Sequence, residues 1–301
     1  DLERFGLEKF AYEINVASAK LCREAADKYS TDEKPRFVAG SLGPTQKSAS
    51  TSVDVNDPST RTVTFDELVM DYREAASGLI EGGVDIILIE TIFDTLNAKA
   101  AVYAVLELFD DLGFDLPIMI SGTVGKAGRI EISAQTVGAF YNSLRHVKPL
   151  SIGLNCGFGP DRLRKHIEEL AQLSQYPVSA YPNAGLPNEF GEYDLDAAHM
   201  AEYISEWADA GFINLVGGCC GSTPQHIAAI AKAVAGKKPR KPPRIAPACR
   251  LSGQEPFNIK SDSLFVNVGE RANVAGSAKF KRLILNGEYE EALDICRAQV
   301  E

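Results

Sequence analysis

The chain has 301 residues, 45% of them hydrophobic and 24% charged, with a formal charge of −10. That length fits one large domain, or one large and one partial, and the balance excludes collagenous, mucin-like and wholly disordered chains. No apolar run reaches the ~18–20 residues of a membrane span. The acidic balance disfavours nucleic acid, whose binding relies on Lys and Arg contacts to phosphate.

The first residues, Asp1-Leu-Glu-Arg-Phe-Gly, have neither a basic n-region nor an apolar core, so no secretory signal is read. Six cysteines in a chain of this size do not make a disulfide scaffold. A reducing, cytoplasmic setting is expected, where clustered cysteines read as metal ligands or reactive thiols.

Helical spacing opens the chain, from about Phe5 to Tyr29. Apolar, β-branched runs follow at Phe37–Gly40, Val84–Ile92, Ile118–Gly122, Leu150–Leu154, Val178–Tyr181 and Phe212–Val216. Most lack strict alternation, the pattern of strands buried on both faces of a parallel sheet. Between them lie amphipathic segments, such as Leu68, Tyr72, Ala75, Ala76 and Leu79 on one face. Successive strands lie far enough apart for crossover helices.

Gly43, Glu90, Ser121, Asn155–Cys156, Asn183 and Cys219–Cys220 are each read as lying just past the C-terminal end of a strand. A barrel gathers those ends on one face, where its sites are built, whereas an open sheet spreads them along a line. The expected fold is therefore α/β, a (β/α)8 TIM-type barrel without its first strands over 1–236. A Pro-rich connector is read over 237–263, because proline fixes φ and cannot donate a hydrogen bond. The remainder, 264–301, reads as the first βα unit of a second barrel. It comprises a strand at Leu264–Val268, the run Gly269-Glu-Arg-Ala-Asn-Val-Ala-Gly276 and a helix from about Lys279 broken at Asn286-Gly287.

The feature richest in chemistry is Gly-Leu-Asn-Cys156-Gly-Phe-Gly-Pro together with Val-Gly-Gly-Cys219-Cys220-Gly-Ser-Thr-Pro. Two strand ends deliver three cysteines across one intervening strand. Three thiolates around Zn²⁺ leave one tetrahedral position for a substrate, the pattern of a catalytic site. Flanking glycines allow sharp turns, and Ser222-Thr-Pro-Gln225 resembles a capping box that starts a helix directly after the ligands. Two blander readings stand beside this one: buried core thiols and a vicinal Cys219–Cys220 disulfide. Cys22, Cys249 and Cys296 fall in helix or connector and are read as incidental. His146, His166, His199 and His226 fall in helical segments away from the strand ends. No Gly-x-Ser-x-Gly elbow, P-loop or complete Gly-x-Gly-x-x-Gly is present. A tris-thiolate zinc carries a net charge of −1 and favours binding a substrate thiol as thiolate, the attacking species in sulfur alkylation.

These residues, with Leu-Ile-Glu90-Thr and Ala-Gly-Ser-Leu-Gly-Pro44, resemble the homocysteine methyltransferase family of zinc barrels. The tail Phe265-Val-Asn-Val-Gly-Glu-Arg-Ala-Asn273-Val-Ala-Gly-Ser-Ala-Lys-Phe-Lys resembles the opening of the folate barrel of cobalamin-dependent methionine synthases. The resemblance implies homocysteine S-methylation, with methylcobalamin as immediate donor and methyltetrahydrofolate replenishing it. It implies Cys156, Cys219 and Cys220 as zinc ligands and Glu90 as partner of the homocysteine amino group. It places Asn183 near the zinc, and Asn273 on the pterin of an intact second barrel. The family's opening Asp-Gly-x-Met-Gly-Thr motif is absent from these residues, as are most of the folate barrel and the cobalamin module. A fragment of a modular enzyme, poorly active by itself, is therefore expected, with the cobalamin domain of the full-length enzyme as partner. Two alternatives remain: a stand-alone enzyme using betaine or S-methylmethionine, and a module in which zinc only fixes the fold.

Overall fold

The computed structural model describes residues 2–57 and 60–300. It divides into two compact units, Asp1–Phe257 and Asn258–Glu301.

The first unit opens with two short 3₁₀ turns, Leu2–Phe5 and Glu8–Phe10, before helix α1 (Ala11–Tyr29). Strand β1 (Ala39–Leu42) follows, then α2 (Phe65–Glu81), β2 (Ile86–Ile92), α3 (Thr95–Leu112), β3 (Ile118–Gly122) and α4 (Val137–Leu144). Next come β4 (Ser151–Asn155), α5 (Pro160–Leu173), β5 (Val178–Tyr181), α6 (Ala197–Asp209), β6 (Leu215–Val216) and α7 (Pro224–Val234). Local chemistry sets the helix starts. Thr64 and Glu67 form a reciprocal capping box on α2, and Asp94, Thr136 and Asp196 cap α3, α4 and α6 through their side chains.

The six strands form one parallel sheet in the order β1-β2-β3-β4-β5-β6. This strictly sequential order has no reversal, unlike the doubly wound sheets, whose strand order switches direction, and it is the order that a TIM-type barrel follows. Among the described residues β1 and β6 do not pair with each other. Every residue of β3 and β4 is buried, as expected of strands covered on both faces. The core runs through Ile87, Ile89, Ile120, Ile152, Leu154, Val178 and Ala180 and out to Phe140, Leu163, Ile167 and Trp207 on the helices.

The connector expected over 237–263 is not free of structure. Lys237 donates to Ser205 and Asp209 at the end of α6. The buried Arg240 guanidinium donates to the carbonyls of Ala171, Ser174 and Tyr176 at the end of α5. Strands β7 (Cys249–Ser252) and β8 (Pro256–Ile259) then make a two-stranded sheet. Its β7 side is tied to α4 and the segment before it: Ser252 Oγ donates to Ala139 O (2.7 Å), Gln135 Nε2 to Gly253 O (2.8 Å), and Thr136 N to Gln254 O (2.9 Å). The prolines keep the chain extended, but the side chains between them anchor it.

The second unit contains α8 (Ala278–Asn286) and α9 (Tyr289–Val300), separated by Gly287 in the left-handed conformation at φ 72°. That break lies where Asn286-Gly287 predicts it. The strand expected at Leu264–Val268 does not form. Leu264 and Phe265 are 90% and 93% exposed. Among the described residues no strand lies beside this segment to accept its backbone hydrogen bonds, and a strand is stable only with such a partner.

Candidate metal centre

Strand β4 ends at Asn155, and the chain leaves it through two consecutive left-handed residues, Cys156 (φ 60°) and Gly157 (φ 71°). A Cβ on Gly157 would stand 2.5 Å from the Val124 carbonyl oxygen, so only glycine fits. Two strands away, β6 ends at Val216 and Gly217-Gly218 lead into Cys219 and Cys220. Gly221 follows at φ 76°, with the Tyr193 ring where its Cβ would be.

Neighbouring strands are ~4.7–4.9 Å apart, so β4 and β6 begin ~10 Å apart. The loop after β5 closes that gap by bonding to both sides. Cys156 N donates to Tyr181 O (3.0 Å) and Asn183 N to Phe158 O (3.0 Å), while Cys219 N donates to Pro182 O (2.9 Å) and Ala184 N to Cys220 O (2.9 Å). Asn183 Oδ1 accepts from Cys220 N (3.1 Å). Helix α7 then begins one residue later than the sequence reading has it. The N-cap is Thr223 and the third helical residue is His226. His226 Nδ1 accepts from Thr223 N (3.2 Å), leaving Nε2–H to donate to Leu195 O (2.8 Å). Imidazole has displaced the expected Gln225 because it reaches back to the cap and across to the preceding loop at once.

The result is a triangle of sulfur. Cys156 Sγ lies 3.8 Å from Cys220 Sγ, Cys219 Sγ lies 3.9 Å from Cys220 Sγ, and all three are within 4.8 Å of one another. A tetrahedral zinc with Zn–S bonds of ~2.3 Å requires sulfurs about 3.8 Å apart. The donor set therefore fits such an ion. The Cys219 and Cys220 sulfurs are not bonded to each other, and all three thiols are free. Cys156 and Cys219 are half-buried and Cys220 is exposed, so solvent reaches the triangle.

The polar surroundings favour a thiolate. The Cys156 thiol is pulled down to about 5, chiefly by the hydrogen bond from Cys219, with Gly157 N–H, Cys220 and Asn183 adding to the effect against burial. Cys219, as donor to that thiolate and partly buried, is pushed upward.

Glu90 stands on β2 at an irregularity in its pairing with β3, between Ile89 and Ile92. Its Oε1 accepts from Ser41 Oγ (2.5 Å). Asn273 lies in the second unit, where its Oδ1 accepts from Ala275 N (2.9 Å) in a local turn. Two aromatic residues at the centre have no signal in the linear sequence. Tyr193 covers Gly221, and Tyr181 packs on Gly217. Both phenols are raised first by desolvation, with the cysteine sulfurs adding for Tyr193 and Glu90 for Tyr181. Asn155 is completely buried and joins β2, β3 and the sulfur site.

The sequence model of the homocysteine S-methyltransferase family matches residues 1–234. Solved structures with similar folds include the Escherichia coli homocysteine methyltransferase MmuM in apo, oxidized and metallated forms. The apo form aligns with a TM-score of 0.56 at 21% identity over 75% of this chain and 74% of that one. The metallated form aligns with 0.58 at 22% identity over 77% and 74%. With its match to the family model over 1–234, the chain belongs to the homocysteine S-methyltransferase family.

Proposed function

We propose that Cys156, Cys219 and Cys220 hold a zinc ion and that the chain takes homocysteine there for S-methylation to methionine. The observation that carries this reading is the sulfur triangle, with separations of 3.8 and 3.9 Å. Bound there, zinc supplies the positive charge that keeps an incoming thiol ionised near neutral pH without destroying its nucleophilicity.

The chain's own residues do the rest. Asn183 fixes the Cys220 backbone through its Oδ1 and stabilises ionised Cys156. The Glu90 carboxylate, oriented by the Ser41 hydroxyl, receives the substrate ammonium group in a charge-assisted hydrogen bond. The Tyr193 and Tyr181 rings pack on Gly221 and Gly217, on either side of the two cysteines. In the reaction the substrate S–H proton leaves to solvent, the sulfur attacks the methyl carbon, and the donor keeps the electrons of the broken bond.

For the donor we infer methylcobalamin, recharged by methyltetrahydrofolate. The tail around Gly269-Glu-Arg and Asn273 supports this, being suited to the start of a pterin-binding barrel that the full-length enzyme completes beside its cobalamin domain. On this reading 1–236 belongs to a (β/α)8 barrel whose first strands lie outside these residues, in a cytoplasmic enzyme. The match over 1–234 equally supports a second reading, in which S-methylmethionine or betaine is the donor. Among the described residues no helix is long and apolar enough to cross a membrane.

The test supplies the zinc-loaded chain with homocysteine and, in turn, methylcobalamin, S-methylmethionine and betaine. Methionine formed slowly from methylcobalamin alone supports the first reading. Turnover with a small sulfonium or ammonium donor establishes the second, and no methionine from any donor, with no homocysteine bound, contradicts both.

A further inference from the structure

One buried side chain connects the two halves of the substrate site. Asn155, the last residue of β4, is 0% exposed. Its Oδ1 accepts from Ser121 Oγ on β3 (2.6 Å) and from the backbone N–H of Thr91 on β2 (3.1 Å). Its Nδ2 donates to Thr91 Oγ1 (2.8 Å) and points to Cys219 Sγ (3.9 Å). Because the Thr91 backbone can only donate at that position, the amide orientation is fixed. The oxygen must face Thr91 N, so the NH₂ group must face the sulfur. Both acceptor sites and both donor hydrogens of the amide are thereby used.

Thr91 is the unusual member. It is β-branched and sits at φ 56°, a conformation that such residues rarely adopt and that persists only where the surroundings impose it. It directly follows Glu90, at the place where β2 slips in register against β3. The two bonds from Asn155 grip Thr91 at both its backbone and its hydroxyl, and so hold the bend that aims Glu90. The same amide offers an N–H to one of the three sulfurs, and the next residue along the chain is another of them.

We propose that Asn155 is a positioning residue that locks the carboxylate end of the site to the thiolate end. It imposes the left-handed Thr91 that aims Glu90 while donating an N–H···S hydrogen bond to Cys219. The proposal rests on the reading of the sulfur triangle as the metal and homocysteine site. Groups of this kind behind metal ligands typically contribute 10–100-fold in metal affinity.

The test uses the whole chain loaded with Co(II), whose thiolate-to-metal charge-transfer band reports the electron density on sulfur. Asn155→Ala is compared with wild type, with Ser121→Ala as a milder variant that only loosens the Oδ1 side of the amide. A band moved to longer wavelength in Asn155→Ala, Co(II) affinity lower by about 10–100-fold and a weaker homocysteine-induced spectral change support the proposal. Ser121→Ala is expected to move each readout the same way by less, and these shifts alone carry the test if Asn155→Ala does not fold. Pairing Asn155→Ala with Thr91→Gly, which removes the left-handed strain, should give a total stability loss smaller than the sum of the singles. Variants that melt earlier but keep the wild-type band, Co(II) affinity and homocysteine response would overturn the proposal, leaving Asn155 a core residue only. Wild type that shows no tris-thiolate cobalt band fails the underlying reading instead, and the proposal with it.

Discussion

Substitution of Gly157 by alanine isolates the backbone's contribution to the sulfur site. Gly157 sits at φ 71°, and an added Cβ meets the Val124 carbonyl oxygen at 2.5 Å. The left-handed conformation alone costs a non-glycine residue roughly 1–2 kcal/mol. Relief of the overlap to 3.0 Å, the shortest separation real Cβ atoms show, also requires the loop to open by about 0.5 Å. Metal sites tolerate ligand displacements of only about ±0.2 Å. Since Cys156 is the adjacent residue, the movement exceeds what the metal allows. Gly113, the C-cap of α3, is the control: its φ is 73° and nothing lies within 4 Å of its Cβ position. Gly113→Ala should therefore lose only the dihedral cost and keep its metal. Gly157→Ala should lose about 1–3 kcal/mol more and bind zinc at least tenfold more weakly. Urea unfolding of the metal-free proteins and competition against a chromophoric zinc chelator measure the two quantities. Equal stability losses with wild-type zinc affinity in both variants would refute the reasoning.

Two further outcomes follow from buried charge and its absence. Arg240, 4% exposed, satisfies three carbonyls in and just beyond the last turn of α5. Arg240→Met should destabilise the fold by about 3 kcal/mol, since hydrogen bonds to charged groups contribute about 1.5–3 kcal/mol each and release from desolvation offsets part of the loss; chemical denaturation measures it. His166 on α5 is buried, with Nε2 unpartnered, and desolvation together with Lys165 lowers it to about 4. The unfolded chain protonates near 6.5 and the folded chain near 4, so stability falls as pH drops through that window. The loss is about 3 kcal/mol in full, and His166→Phe should remove that component from a pH series of denaturation midpoints.

Where structure depends on local composition, the amino acids announce it. The runs Ile118–Gly122 and Val178–Tyr181 are strands to the residue, because apolar continuity and pairing coincide there. At β1 the strand is Ala39–Leu42 rather than Phe37–Gly40, for Phe37 is 67% exposed and its hydrophobicity does not reflect pairing. Likewise only Leu215–Val216 of the Phe212–Val216 run is paired. Leu264–Val268 has strand composition without a neighbour, a condition that no local pattern reveals.

The cysteines were legible because glycine beside cysteine at two strand ends is a rare pattern with a chemical meaning. The left-handed Thr91, the Asn155 amide and the Tyr193 ring over Gly221 were not, because each depends on residues that meet only when separate strands are placed side by side. Arg240 was hidden because it is one of seven Lys and Arg residues between 237 and 263, and no local pattern singles it out.

X-ray absorption at the zinc edge of the loaded protein, recorded with and without homocysteine, examines the sulfur site itself. The account predicts three sulfur neighbours at about 2.3 Å without substrate and four with it. It further predicts that Cys156→Ser, Cys219→Ser and Cys220→Ser each lose one sulfur or the metal. A wild-type spectrum with two or fewer sulfurs, or one unchanged by homocysteine, would contradict it.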